Sequence, residues 1–180
     1  MMVVTIFSLV IVALMSCQLF GLRTYKISET KLAASADGRR ALNEVRERIR
    51  QGKIVLIGNG NASSFTNIPD DSPQIGNALE IYPTTNRSVF TRFYLNFENQ
   101  NLESINSSGE FLTVARFVTN RMVFQAEDFR GNILTNYENN RVIRMTLEFY
   151  QWEYPITTIG QGGMYDYYRL QTRMTRRLIE

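Results

Sequence analysis

The chain opens with the stretch MMVVTIFSLVIVALMSCQLFGL, residues 1–22, in which no side chain carries a charge. The polar side chains in this stretch are those of Thr5, Ser8, Ser16 and Gln18. As an α-helix the stretch would be about 33 Å long, which is enough to cross the roughly 30 Å hydrocarbon core of a bilayer. Because apolar residues would surround this helix on all sides, the pattern predicts a membrane segment instead of a buried helix of a soluble domain.

Two processing signals compete with this interpretation. A secretory signal needs a basic start and a short apolar stretch, whereas this segment has no basic start and is too long. The sequence Leu14-Met15-Ser16-Cys17 resembles the box at which bacterial lipoproteins are cut and lipidated on cysteine, although Met15 stands where a small residue is usual. Lipidation at Cys17 is therefore an alternative way to hold the chain at a membrane.

Residues 23–51 predict that the same helix continues into water. The first proline of the chain is Pro69, and this stretch is rich in good helix formers. At 100° per residue, Gly38, Leu42, Val45 and Ile49 share one face of the helix, while charged residues occupy the other face. Gly52 is a suitable place for the helix to end. We therefore expect a hydrophobic stem over residues 1–28 and a globular head over residues 29–180 that includes the amphipathic half of the helix.

After residue 52 the apolar period changes from helical to alternating, as in strands with one buried face. The four clearest strands are predicted over residues 92–98, 122–126, 141–150 and 168–175, and weaker ones over residues 53–57, 78–82 and 111–117. Asn- and Gly-rich turns separate them. The predicted fold is α+β: a long N-terminal helix, with membrane stem and amphipathic half, packed on one meandering antiparallel sheet. Leu42, Val45 and Ile49 are predicted to join the helix to the sheet.

Charge and composition exclude several functions for the head. Residues 23–51 carry eight basic and four acidic side chains, and the rest of the chain carries 12 and 13, so the head after residue 51 is nearly neutral. This balance does not predict nucleic-acid binding. A single cysteine and no histidine argue against a disulfide framework, a zinc site or a Ser-His nucleophile. No spacing selects a pair of catalytic carboxylates, so we predict no enzyme, no cofactor and no metal; a tethered hydrolase is the weakest alternative.

Two groups of residues near the C-terminus are candidates for a partner surface. The first is aromatic and the second is basic, and half-exposed or solvated sheet faces are the simpler explanation of both. The candidates are Tyr150, Trp152, Tyr154, Arg173, Arg176 and Arg177.

A hydrophobic stem helix, its amphipathic continuation and a terminal antiparallel sheet resemble the type IV pilin and type II secretion pseudopilin superfamily. The opening Met1-Met2-Val3-Val4-Thr5-Ile6 is similar to the stretch that follows the conserved glutamate of that family's F-T-L-x-E motif. The order of the strands after residue 114 is similar to that of minor components, the J-type pseudopilins and W-type minor pilins. A start codon placed at an internal methionine, or a trimmed chain, would explain why the basic leader and the motif are absent.

The resemblance implies a non-enzymatic subunit of a type II secretion or type IV pilus-like filament, held in the bacterial inner membrane with its head in the periplasm. Its expected partners are other pilins or pseudopilins, the inner-membrane assembly platform and the lipid bilayer. Stem packing is assigned to Val3, Val4, Ile6, Phe7, Val10, Ile11 and Leu14. The alternative is a membrane-tethered or Cys17-lipidated extracytoplasmic binding module.

Overall fold

The computed structural model describes residues 2–136, 142–152 and 165–176 of the 180-residue chain. The chain divides into two compact units, Met1–Ala33 and Ala34–Glu180. The helix α1 covers Met2–Gln51 and ends directly before Gly52, where the sequence predicted its end. The strands are β1 (Ile54–Gly60), β2 (Phe65–Asn67), β3 (Ile75–Gly76), β4 (Ala78–Tyr82), β5 (Thr91–Asn96), β6 (Asn101–Asn106), β7 (Phe111–Ala115), β8 (Phe124–Glu127), β9 (Val142–Trp152) and β10 (Tyr165–Thr175).

The predicted α+β class is confirmed, but the strands form two antiparallel sheets instead of one. The first has six strands in the order β2-β1-β4-β5-β6-β7, and the second has four in the order β10-β9-β8-β3. The chain leaves the first sheet for the two residues of β3, which pair with β8. A strand of two residues has no readable alternation, which is why the sequence did not show the division.

The core of the second unit is built from the inner faces of both sheets and one stripe of α1. Ala41, Leu42, Val45 and Ile49 of the helix are buried in one apolar cluster with side chains of both sheets. Gly38 belongs to the same stripe, and a Cβ atom there would lie only 2.3 Å from Cδ1 of Leu170 in β10. The absence of a side chain at residue 38 therefore allows helix and sheet to approach closely.

Two glycines meet where β3 of the four-stranded sheet passes β1 of the six-stranded sheet. A Cβ atom on Gly76 of β3 would lie 2.1 Å from the backbone oxygen of Gly58 in β1. Backbone cannot move aside as a flexible side chain can, so residue 76 requires glycine for steric reasons. Residue 58 requires glycine because a Cβ atom there would meet the backbone oxygen of Thr66 in β2.

Candidate functional site: a cleft beside the six-stranded sheet

The outer face of the six-stranded sheet, which points away from the core, is buried and charged. Glu80 and Tyr82 of β4, Arg92 and Tyr94 of β5 and Glu103 of β6 are all less than one-tenth exposed. Glu80 stands opposite Arg92 in the antiparallel register, and Tyr94 stands opposite Glu103. The alternation in β5 predicted a solvent-facing side for Arg92 and Tyr94, so the expected exposure of that face is wrong.

Arg92 is the centre of this outer face. Its Nε and Nη2 atoms donate to Oε1 of Glu80 at 3.2 and 2.9 Å, and the hydroxyl of Tyr82 donates to Oε2 of the same carboxylate at 2.7 Å. The guanidinium carbon also lies 5.6 Å from the ring centroid of Phe65 and 5.1 Å from that of Phe90. Buried charges need this kind of pairing, because an unpaired ion in a poorly hydrated site is costly.

The same guanidinium holds the loop between β1 and β2. Its Nη1 atom donates to the backbone oxygens of Asn61 and Ala62, at 3.1 and 3.2 Å. Within the loop, Oδ1 of Asn61 accepts hydrogen bonds from the backbone and hydroxyl groups of Ser63 and Ser64. The loop is thus held by the buried guanidinium of Arg92 and, inside the loop, by the side-chain oxygen of Asn61.

A second hydrogen-bonded cluster, formed by Tyr94, Asn96 and Glu103, lies beside the cluster centred on Arg92. Nδ2 of Asn96, at the end of β5, donates to the Glu103 carboxylate at 3.2 Å. Burial, followed by the hydrogen bond to Glu103, raises the pKa of the Tyr94 hydroxyl well above its ordinary value. Burial and the hydrogen bond to Glu80 raise the pKa of Tyr82 in the same direction. Both phenols therefore keep their protons to a more alkaline pH than an exposed tyrosine does.

An open cleft of about 770 Å³ lies between the β1–β2 loop and the turn that follows β5. The amide groups of Asn59, Asn61, Asn77 and Asn96 contribute to its lining, which is completed by Gly60, Ala62, Ser63, Tyr94, Leu95, Phe97, Glu98 and Met122. Glu98 is the one charged residue among these lining residues. Neither arginine nor lysine is among them, so the cleft offers no cation to a phosphate or another anion.

Some of the amide groups that line the cleft are hydrogen-bonded within the fold, and others are not. Asn77 exchanges two hydrogen bonds of 3.0 Å with the backbone of Gly60 and so closes the floor of the cleft. Within the described part of the chain, the exposed Nδ2 atoms of Asn59 and Asn61 and the exposed carboxylate of Glu98 bond to no other protein group and face water. The fold itself does not use these three groups, so they are available to hydrogen-bond a ligand.

The residues predicted for helix packing and for the stem occupy different environments. Leu42, Val45 and Ile49 are buried in the core of the head. The seven predicted stem residues are all exposed in the chain, with exposed fractions from 39% at Ile11 to 79% at Val3; the others are Val4, Ile6, Phe7, Val10 and Leu14.

The predicted partner surface near the C-terminus is only partly described. Tyr150 and Trp152 lie in β9, opposite Tyr167 and Tyr165 of β10. Tyr154 and Arg177 lie outside the described residues. Arg176 donates to the backbone oxygen of Lys53.

Arg173 has a structural partner. Its Nε atom lies 2.9 Å from Oε2 of Glu127, a fully buried carboxylate that also pairs with Arg144. Its Nη2 atom would lie 2.4 Å from a Cβ atom on Gly131, a turn residue with a φ of 95°. The guanidinium of Arg173 is therefore paired with Glu127 of its own chain.

Sequence reasoning missed the charged outer face and the cleft beside it. The signal that was present is one acidic residue inside the apolar run of β4 and one basic residue at the start of β5, Glu80 and Arg92. Their pairing is set by the register of two strands, and the contact of Arg92 with the loop spans 31 residues of sequence. Neither relation is visible in a local pattern.

No group of three or more metal-ligating side chains is close enough to hold a metal ion within the described residues. Comparisons of the chain with protein-family models, with curated proteins and with solved structures found no match.

Replacing Arg92 by methionine should lower the free energy of unfolding by about 3–5 kcal/mol, because the buried Glu80 carboxylate would lose its cation. Adding Glu80→Gln to this variant should recover part of the loss. Arg48→Met is the matched control, since Arg48 forms an exposed pair with Glu44 on α1 and such pairs contribute at most about 1 kcal/mol. Urea unfolding of the full chain in detergent measures all three; equal losses for Arg92→Met and Arg48→Met would contradict the assigned role.

Stability should also fall at alkaline pH because of the buried phenols. In the unfolded chain a tyrosine releases its proton near pH 10, whereas in the folded chain the raised pKa of Tyr82 keeps that proton bound. The stabilisation is therefore complete below about pH 10 and is lost as the pH rises above it. Tyr82→Phe should make the decline of the urea midpoint above pH 10 less steep. An unchanged slope in Tyr82→Phe and in Tyr94→Phe would show that the folded state does not hold these protons.

Proposed function

We propose that the chain is a non-enzymatic minor pilin or pseudopilin, a subunit of a type II secretion or type IV pilus-like filament. The observation that carries the proposal is the helix α1, which is one helix over Met2–Gln51 although its two halves are built for different surroundings. Val3–Leu22 is long and apolar enough to cross a membrane, by length and composition. One stripe of the second half, formed by Ala41, Leu42, Val45 and Ile49, is buried in the core of the head.

The polar side chains of the stem support a lipid environment for it. The hydroxyls of Ser8, Ser16 and Thr24 each donate to the backbone oxygen four residues earlier, at Val4, Val12 and Phe20. A hydroxyl that is satisfied inside its own helix does not require water or a partner chain. At these three positions the stem therefore needs no polar partner outside its own helix.

An exposed apolar stem of this kind has two favourable environments. In a bilayer its side chains contact lipid, and in a filament the same surface contacts the stems of neighbouring subunits. Because both environments are apolar, the free energies of the two states can be close, so an assembly machine can move subunits between them. The proposal therefore includes other pilin-like stems, the inner-membrane assembly platform and the bilayer as partners, with the head in the periplasm.

A membrane-tethered binding module is the second candidate, and the cleft on the six-stranded sheet favours it. Cys17 is exposed and would be the lipidated residue in one form of this candidate. A lipidated head normally follows a flexible spacer, whereas here the helix passes through Cys17 and continues to Gln51. The unbroken helix therefore favours the filament subunit.

A photo-reactive phenylalanine analogue at Phe7 should form adducts with apolar N-terminal helices of other filament subunits when the full chain is expressed in its native host. Phe7 is 65% exposed on the predicted stem surface. The same analogue at Phe129, which is 82% exposed on the head, is the matched control and should not give these adducts. Mass spectrometry of the membrane fraction identifies the partners and reports any lipid on Cys17. Adducts with lipid alone at Phe7, or a lipidated Cys17 as the new N-terminus, would refute the filament proposal.

A further inference from the structure

We infer that the cleft between the β1–β2 loop and the turn after β5 binds a neutral saccharide. This ligand assignment does not depend on the filament proposal, because every residue that carries it lies in the head. Three properties of the cleft lead to it: its charge, its unengaged hydrogen-bonding groups and its apolar wall.

Charge selects against anionic ligands. The lining contains one carboxylate, that of Glu98, and no arginine or lysine. The nearest buried cation, Arg92, is already bound to Glu80 and to the loop carbonyls of Asn61 and Ala62. A phosphate or an acidic polymer would therefore meet an unfavourable potential, whereas a neutral ligand would not.

The unengaged groups suit hydroxyls better than a peptide backbone. A peptide that adds to a sheet needs a strand with a free edge. β1 already pairs with β2 and β4, and β5 already pairs with β4 and β6, so these strands offer no free edge at the cleft. What remains are the Nδ2 donors of Asn59 and Asn61 and the acceptor oxygens of Glu98. A sugar hydroxyl both donates and accepts, so a row of hydroxyls can satisfy both kinds of group at once.

The apolar wall suits the carbon face of a sugar ring. Phe97 and Met122 line the cleft with exposed fractions of 55% and 50%. A flat aromatic ring packs well against the axial C–H groups of a pyranose, and this contact removes apolar surface of both partners from water. Apolar walls with a few placed polar groups are the usual composition of small-ligand sites.

The cleft is held in shape before a ligand arrives. Arg92 fixes the loop that carries Asn61, and Asn77 joins the floor to Gly60. On the opposite side, Oδ1 of Asn96 accepts the backbone N–H of Glu98 at 3.1 Å and so orders the turn. A site that is already ordered loses little conformational entropy on binding. The volume of about 770 Å³ is within the range of small-ligand sites and can hold a short oligosaccharide.

The test is binding of the full chain in detergent to maltotriose, tri-N-acetylchitotriose and lacto-N-tetraose, measured by saturation-transfer NMR and calorimetry. At least one of these neutral oligosaccharides should bind. Phe97→Ala should weaken that binding about tenfold or more, because it removes the stacking surface. Asn59→Ala and Glu98→Gln should also weaken it, whereas Phe129→Ala, which removes an equally large exposed ring elsewhere on the head, should not.

Thermal unfolding of each variant shows whether it is folded, and only folded variants are compared. Asn59, Phe97 and Glu98 are all exposed, so we expect their substitution to leave the fold intact. Failure of all three oligosaccharides to bind would overturn the assignment. Binding that persists unchanged in both Phe97→Ala and Asn59→Ala would also overturn it, and so would preferential binding of an uncharged tetrapeptide at the same residues.

Discussion

The packing of one stripe of α1 with the apolar faces of two sheets is the interaction on which the head depends. Gly38, Ala41, Leu42, Val45 and Ile49 contribute to a core that neither sheet could close alone. An antiparallel sheet with one apolar face must cover that face, and here the apolar faces of both sheets and one stripe of α1 form a single cluster. Because the same helix also contains the apolar segment Val3–Leu22, the core of the head and the membrane-compatible segment belong to one secondary-structure element.

The outer face of the six-stranded sheet serves a different purpose from the inner one. Glu80 and Arg92 are buried there as an ion pair, and such pairs rarely add much stability compared with apolar side chains of the same size. What the Arg92 pair does provide is position: it places the β1–β2 loop at a fixed distance from the turn after β5. The cleft between them is therefore a consequence of a buried ion pair and two ordered loops. This arrangement links the stability of the head to the shape of the cleft.

The sequence predicted those features that depend on local periodicity. The buried stripe of α1, the helix end before Gly52 and the strand β4 over Ala78–Tyr82 all follow from patterns within about a dozen residues. The strands β2, β3 and β6 were missed for two reasons. β2 and β3 are too short to alternate. β6 has buried polar residues on both of its faces, Glu103 on the outer face of the sheet and Ser104 on the inner face. The division into two sheets and the cleft depend on contacts between residues distant in sequence, which a local pattern cannot encode.

The central claim is that the amphipathic half of α1 is part of the head's core. Amide hydrogen exchange of the full chain in detergent tests it directly. The account predicts that amides from Ala41 to Ile49 exchange as slowly as that of Leu79 in β4, because both would open only when the whole head unfolds. Exchange at Ala41 to Ile49 that is many times faster than at Leu79, in a head that remains folded, would contradict the account.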